Sequence, residues 1–204
     1  MSGQYVGNAT HFLIQTLFGL YILIVMLRFL LQLVRADFYN PISQIIVTVT
    51  QPVLTPLRRI IPGYAGIDLA SVALMLVLKC LEIALLLSVS GAAIGSIIGL
   101  LAFSAVEVAR LALNVFVWSI LIQVILSWIQ LLLGQGGPGH YNPVIGLLHS
   151  LNEPLLGPAR RLIPPISGLD LSPLVVLIGL QLVAMTVIAF IGDQAQRLLM
   201  SPLI

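Results

Sequence analysis

The residues of this sequence best suited to chemistry are two arginine pairs, Arg58-Arg59 and Arg160-Arg161, each followed by an aspartate, Asp68 and Asp170. A doubled guanidinium can take an anionic lipid headgroup or an acidic face of a partner protein, and each basic residue near an anionic surface contributes about 1 kcal/mol. The alternative is that the pairs only set membrane topology and bridge to the aspartates. Lys79 and Glu82 form a second constellation, three residues apart and so neighbours on a helix. His149 and Glu153 have the i, i+4 spacing of a metal-ligand pair, but the same spacing is ordinary on a polar helix face. No Ser/His/Asp or Cys/His set, glycine-rich phosphate loop or potassium-type selectivity filter appears. The single Cys80 rules out a disulfide framework and a cysteine-rich metal site. This inventory points away from an enzyme and implies no cofactor and no bound metal.

The elements that must position these residues come in two copies. Residues 40–69 read NPISQIIVTVTQPVLTPLRRIIPGYAGIDL, and residues 142–171 read NPVIGLLHSLNEPLLGPARRLIPPISGLDL. Asn40-Pro41, Pro52, Pro56, Arg58-Arg59, Pro62 and Asp68 recur as Asn142-Pro143, Pro154, Pro158, Arg160-Arg161, Pro164 and Asp170. Such a repeat means two copies of one structural unit. Asn-Pro starts each motif. Ile42, Ile45, Ile46, Val49, Val53 and Leu57 then recur every three or four residues, as one apolar helix face does, with Thr48, Thr50, Gln51 and Thr55 largely between them. Val144, Leu147, Leu148, Leu151 and Leu155 repeat the pattern. Pro52 and Pro56 each remove a backbone donor. The expectation is therefore a proline-kinked amphipathic hairpin of two short pieces, lying in the membrane interface or dipping in as a re-entrant segment.

Composition supplies the setting. Of 204 residues, 59% are hydrophobic and only 8% charged, where soluble domains carry about 25% charged residues. This is an all-α integral membrane protein. Its formal charge of +2 gives no reason to expect nucleic acid. Spans are expected at 11–34, 69–90, 106–133 and 171–191, each near the roughly 20 residues a bilayer needs. The first is read as a retained span, not a cleaved signal. Arg28, close to its end, is expected to snorkel to the interface. Asp68 and Asp170 should cap the spans that follow them. Lys79 and Glu82 fall near the bilayer midplane, where ionisable residues are either functional or neutralise one another. Gly91, Gly95 and Gly99 have the small-residue spacing that lets membrane helices approach, which would allow a homo-oligomer, or else they form a turn. Glu107 and Arg110 would mark an interface, 134–139 is a glycine loop, and 192–204 a short tail. With four spans, both motifs share one side, and the positive-inside rule makes it cytoplasmic, with the termini outside. If 91–113 crossed as well, there would be five spans and inverted repeats.

The motifs RADFYNP at 35–41, QPVLTPLRRIIP and GIDL, with NEPLLGPARRLIP and GLDLSP in the second copy, closely resemble the YggT family, also called YlmG. The resemblance covers residues 12–192. It divides the chain into repeat one at 12–90 with its motif at 35–67, a linker or short helix at 91–105, and repeat two at 106–192 with its motif at 140–169. The second copy lacks the Arg-Ala-Asp-Phe lead-in. The resemblance implies a multi-span inner-membrane protein without a known reaction. Bacterial members are associated with osmotic-stress tolerance, ion homeostasis and the placement of division or envelope machinery. Plastid relatives are linked to haem attachment in cytochrome b6 and to nucleoid distribution. No Cys-x-x-Cys-His occurs here, so this chain does not attach haem covalently. The leading expectation is a non-enzymatic scaffold or assembly factor. The others are ion transport or its modulation, supported by internal duplication, and a cytochrome cofactor-assembly role carried by the plastid analogy alone.

Overall fold

The structure, a computed structural model, describes residues 2–64, 66–132, 142–163 and 170–201. These residues form helices: α1 (Ser2–Leu33), α2 (Pro41–Ile60), α3 (Leu69–Val89), α4 (Ile97–Leu132), α5 (Pro143–Leu162), α6 (Ser172–Val183) and α7 (Ala189–Met200). A five-residue π turn, Ala184–Ile188, joins α6 to α7. Among the described residues, four helical stretches are long and apolar enough to cross a membrane: Tyr5–Leu33, Leu69–Val89, Ile97–Gln130 and Ser172–Met200. Residues 97–105, expected within a linker or short helix, are helical and form the opening turns of α4, so they make no separate fifth span. The expected tail also changes character. Residues 192–200 continue the last helix and bury Gly192, Ala195 and Leu199.

Helix α1 supplies the centre of the bundle. Its Ile22, Val25, Met26 and Leu30 meet Leu54 of α2, Leu74 and Met75 of α3, and Val115 of α4. Outward faces stay apolar, as with Leu13 and Leu17 of α1, Leu81 of α3 and Phe190 of α7. In water that exposure would be costly; against lipid it is the natural surface.

The two motif helices correct the hairpin expectation. Each is one unbroken helix of 20 residues that runs through its prolines, not two pieces. A proline frees the carbonyl four residues before it, so Pro52 and Pro56 free those of Thr48 and Pro52. The spacing of four places both losses on one face, and Thr48, Pro52 and Pro56 are all exposed. The opposite face packs Ser43, Ile46, Thr50 and Leu54 inward. Packing of that face holds the helix together.

Glycines fix the remaining joint. Gly91 turns the chain after α3 with φ +71°, a conformation glycine adopts without strain. The Gly95 amide donates to Leu199 O at 3.0 Å. A Cβ on Gly95 or Gly99 would collide with the backbone of residues 198–201. The close approach that Gly95 and Gly99 permit is thus made inside the chain, between α4 and α7.

Candidate functional site at the arginine ends of the motif helices

Each motif helix begins and ends in the same way. Asn40 Oδ1 accepts from the Ile42 amide at 2.9 Å, and Asn142 Oδ1 accepts from the Val144 amide at 3.0 Å. These are N-caps followed by proline at the first helical position, where its missing donor costs nothing. Asn40 does more than start a turn: its Nδ2 donates to Pro143 O at 2.6 Å, so the starts of α2 and α5 lie side by side.

At the other end the two arginines of each pair divide. Pro62, just past the last turn of α2, cannot prolong the helix. The chain then folds back through Gly66 (φ +84°) and a short bridge between Tyr64 and Ile67. This brings Asp68 against Arg58, which donates to it and also to Gln32 Oε1 at 3.3 Å. Asp68 is 3% exposed as a side chain, caps α3 and accepts from Ser71 Oγ at 2.6 Å. Burial pushes its carboxyl up, but the Arg58 and Ser71 bonds outweigh this and hold it below the usual aspartate range. In the second copy, Arg160 Nε donates to Asp170 at 2.9 Å and its NH1 to Glu153 at 3.1 Å. Asp170 caps α6 by accepting from the Ser172 amide at 2.9 Å. Its carboxyl is likewise lowered: burial raises it, and contacts with Ser172 and then Arg160 lower it by more. Arg59 and Arg161 are exposed and make no hydrogen bond or ion pair among the described residues. Pro164 and His140 lie outside those residues, as does the expected 134–139 loop.

Arg28 corrects another expectation. It does not snorkel outward: it is 8% exposed, and its NH1 donates to Thr50 Oγ1 at 2.6 Å and Val47 O at 3.1 Å. Thr50 therefore lies on the buried stripe of α2, not between apolar positions. Its repeat mate, Asn152, is fully buried and bonds Ser119 at 2.6 Å and Gln123 at 2.7 Å. Span and motif helix are thus tied by Arg28–Thr50 in one half and by Gln123–Asn152–Ser119 in the other. The sequence signal was a polar residue in register with Ile46 and Leu54, four residues either side of Thr50.

Arg35, just after α1, takes φ +53° and stands alone among the described non-glycine residues in having positive φ. The amides of Arg35 and Ala36 close the helix end onto Gln32 O and Leu31 O. A left-handed residue here is usually glycine, and a side chain costs about 1–2 kcal/mol.

The charges inside the spans also meet. Lys79 Nζ donates to Glu82 at 2.8 Å, and Arg110 NH1 donates to Glu107 at 2.7 Å. Lys79, Glu107 and Arg110 share a cavity of about 130 Å³ with Asn114. Glu107 and Arg110 are within the third membrane-length stretch, not at its edge. His149 stands 3.7 Å from Glu153, and no group of three His, Cys, Asp or Glu gathers among the described residues.

Four membrane-length helices, with two 20-residue helices each capped by Asn-Pro and closed by an Arg–Asp pair, define a multi-pass helical protein built on a doubled motif. The chain belongs to the CCB3/YggT family, whose model matches it twice, at residues 7–89 and 102–191. It is 48% identical over 183 residues to an uncharacterized protein of Pseudomonas aeruginosa, covering 89% of each chain. It is 46% identical over 175 residues to an uncharacterized protein of Vibrio alginolyticus, covering 85% of this chain and 90% of that one. It is 37% identical over 181 residues to the uncharacterized protein YggT of Escherichia coli K12, covering 88% and 89%. No solved structure matches.

Proposed function

We propose that the chain is a non-enzymatic scaffold of the bacterial cytoplasmic membrane. It presents two amphipathic helices on the cytoplasmic surface, with the termini in the periplasm, and recruits anionic lipid and a partner protein there. Its setting is envelope or division organisation or osmotic-stress tolerance. The observation that carries this reading is the split within each arginine pair. Arg58 and Arg160 are committed to Asp68 and Asp170, while Arg59 and Arg161 stay exposed one residue further along. A pair needed only for internal bridging would not require the second cation, and near an anionic surface that cation adds about 1 kcal/mol. The test is cross-linking in cells followed by recovery of the tagged chain. Arg59→Ala/Arg161→Ala is expected to lose its cross-linked partners while keeping wild-type abundance. An unchanged partner set in that variant sinks the reading.

A second reading is ion passage or modulation of ion homeostasis. The cavity shared by Lys79, Glu107 and Arg110 favours it, since ionisable groups inside spans mark ion and proton paths. It requires flux in liposomes that disappears when Lys79 and Glu82 are neutralised together. Flux that survives, or no flux, removes it. A cytochrome-assembly role rests on the plastid analogy, and normal cytochromes in a deletion strain would end it.

A further inference from the structure

We infer that the first repeat carries a built pocket for one phosphate-bearing lipid headgroup, distinct from Arg59 and Arg161. The pocket is a cavity of about 410 Å³ where the end of α1 meets α2. Three guanidiniums, those of Arg28, Arg35 and Arg58, line it, and no carboxylate does. Asp68 offsets one of the three charges through Arg58. Each guanidinium has five donors. Arg28 uses only its NH1 on Thr50 and Val47, and Arg58 only its NH2 on Asp68 and Gln32. Arg35 donates side-chain hydrogen bonds to none of the described residues. Donors for several phosphate oxygens therefore remain.

Two independent features say that the pocket is meant to be filled. Ser43 lies on its wall, is 5% exposed, and its Oγ has no hydrogen-bond partner. A buried hydroxyl without a partner is rare and costly. Arg35 occupies a left-handed position that glycine would take without strain. Backbone strain of this kind collects at ligand clamps. Apart from Gln32, the other lining side chains, among them Leu31, Phe38 and Ile46, are apolar, as a headgroup site adjoining an acyl chain requires. The second repeat does not duplicate the pocket. Gln123 takes the bonding role of Arg28 against the buried polar residue of α5, and Ile145 stands where Ser43 does in the repeat. A general surface attraction would have been doubled with the motif; a single binding site need not be.

The inference rests on the chain lying in a bilayer, but not on the recruiting role of Arg59 and Arg161. The test uses the full chain in phosphatidylcholine nanodiscs, titrated with phosphatidylglycerol, with bound lipid counted by native mass spectrometry. A parallel arm adds inorganic phosphate alone. The wild type is expected to hold one phosphatidylglycerol saturably. Arg35→Gly, which relieves the backbone and so still folds, is expected to hold it on the order of tenfold more weakly, as loss of a charge-assisted bond predicts. Ser43→Ala should weaken it less, and Arg59→Ala/Arg161→Ala not at all. Saturation by inorganic phosphate with equal affinity would assign the same site to a soluble phosphate and overturn the lipid. Wild-type retention in Arg35→Gly and Ser43→Ala together would overturn the pocket. Loss of cross-linked partners in Arg59→Ala/Arg161→Ala with the bound lipid intact would leave the pocket and the scaffold reading separately supported.

Discussion

Asp68 and Asp170 hold the same place in the motif, but their surroundings give them unequal weight. Asp68 is 3% exposed and Asp170 is 35% exposed. Removing a buried acceptor leaves its donors unpaired, at about 1–3 kcal/mol, whereas an exposed pair is worth about 0–1 kcal/mol. Asp68→Ala should therefore lower the thermal midpoint of the purified protein clearly, and Asp170→Ala only slightly. The pH dependence has a definite sign. The folded Asp68 carboxyl titrates below its unfolded value of about 3.9. Its contribution is complete above that value and is lost as pH falls through the lower folded one. The stability gap between wild type and Asp68→Asn should be level from neutral pH to about pH 5 and close in stronger acid, as thermal melts across pH would show. The Arg–Asp relation and the Asn-Pro starts of the motifs were legible because local spacing determines them. Arg28–Thr50 and Asn152–Gln123 were not, because they join segments far apart in the chain. The register of Thr50 with Ile46 and Leu54 marks its face of the helix, but nothing local names its partner.

At the scale of the helix, proline content misled. Pro52 and Pro56 lie within a continuous helix, on its exposed face. Restoring those donors should help: Pro52→Ala/Pro56→Ala is expected to raise the thermal midpoint, with up to about 3 kcal/mol available per proline from helix propensity. A lower midpoint would mean that the prolines stabilise the fold. The glycines separate in the same way. Gly99→Ala should destabilise by roughly 1–3 kcal/mol, since its Cβ meets the α7 backbone. Gly179→Ala has nothing within 4 Å and should be neutral or slightly stabilising. The same thermal melts decide both. Of the small residues at 91–99, Gly95 and Gly99 make a close approach, against the end of the last helix of the same chain, while Gly91 makes a turn; that pairing depends on the fold and not on the spacing.

For the whole molecule, four membrane-length stretches were visible in composition, because apolar length is what a bilayer selects. The lengths of α4 and of the last helix were not, since both continue beyond the most apolar windows. Asn40 bonding to Pro143 sets the starts of the two motif helices beside each other, which favours a shared face of the bilayer. In a Cys80→Ser background, single substitutions Thr55→Cys and Gly157→Cys are expected to react with an impermeant thiol reagent from the same side. Labelling from opposite sides would contradict parallel repeats.

The π turn at Ala184–Ile188 acts as a phase shifter. One residue is worth about 100° of rotation around an α-helix, and a π turn holds an extra residue within its coil. The stripe Gly192, Ala195 and Leu199 faces α4 only because that residue has been taken up upstream. Deleting Val187, which is itself exposed, should turn α7 away from Gly99 and strip the Gly95 amide of its acceptor. Rapid hydrogen exchange at Gly95 would register the lost phase, although the deleted side chain lies in a different part of the helix.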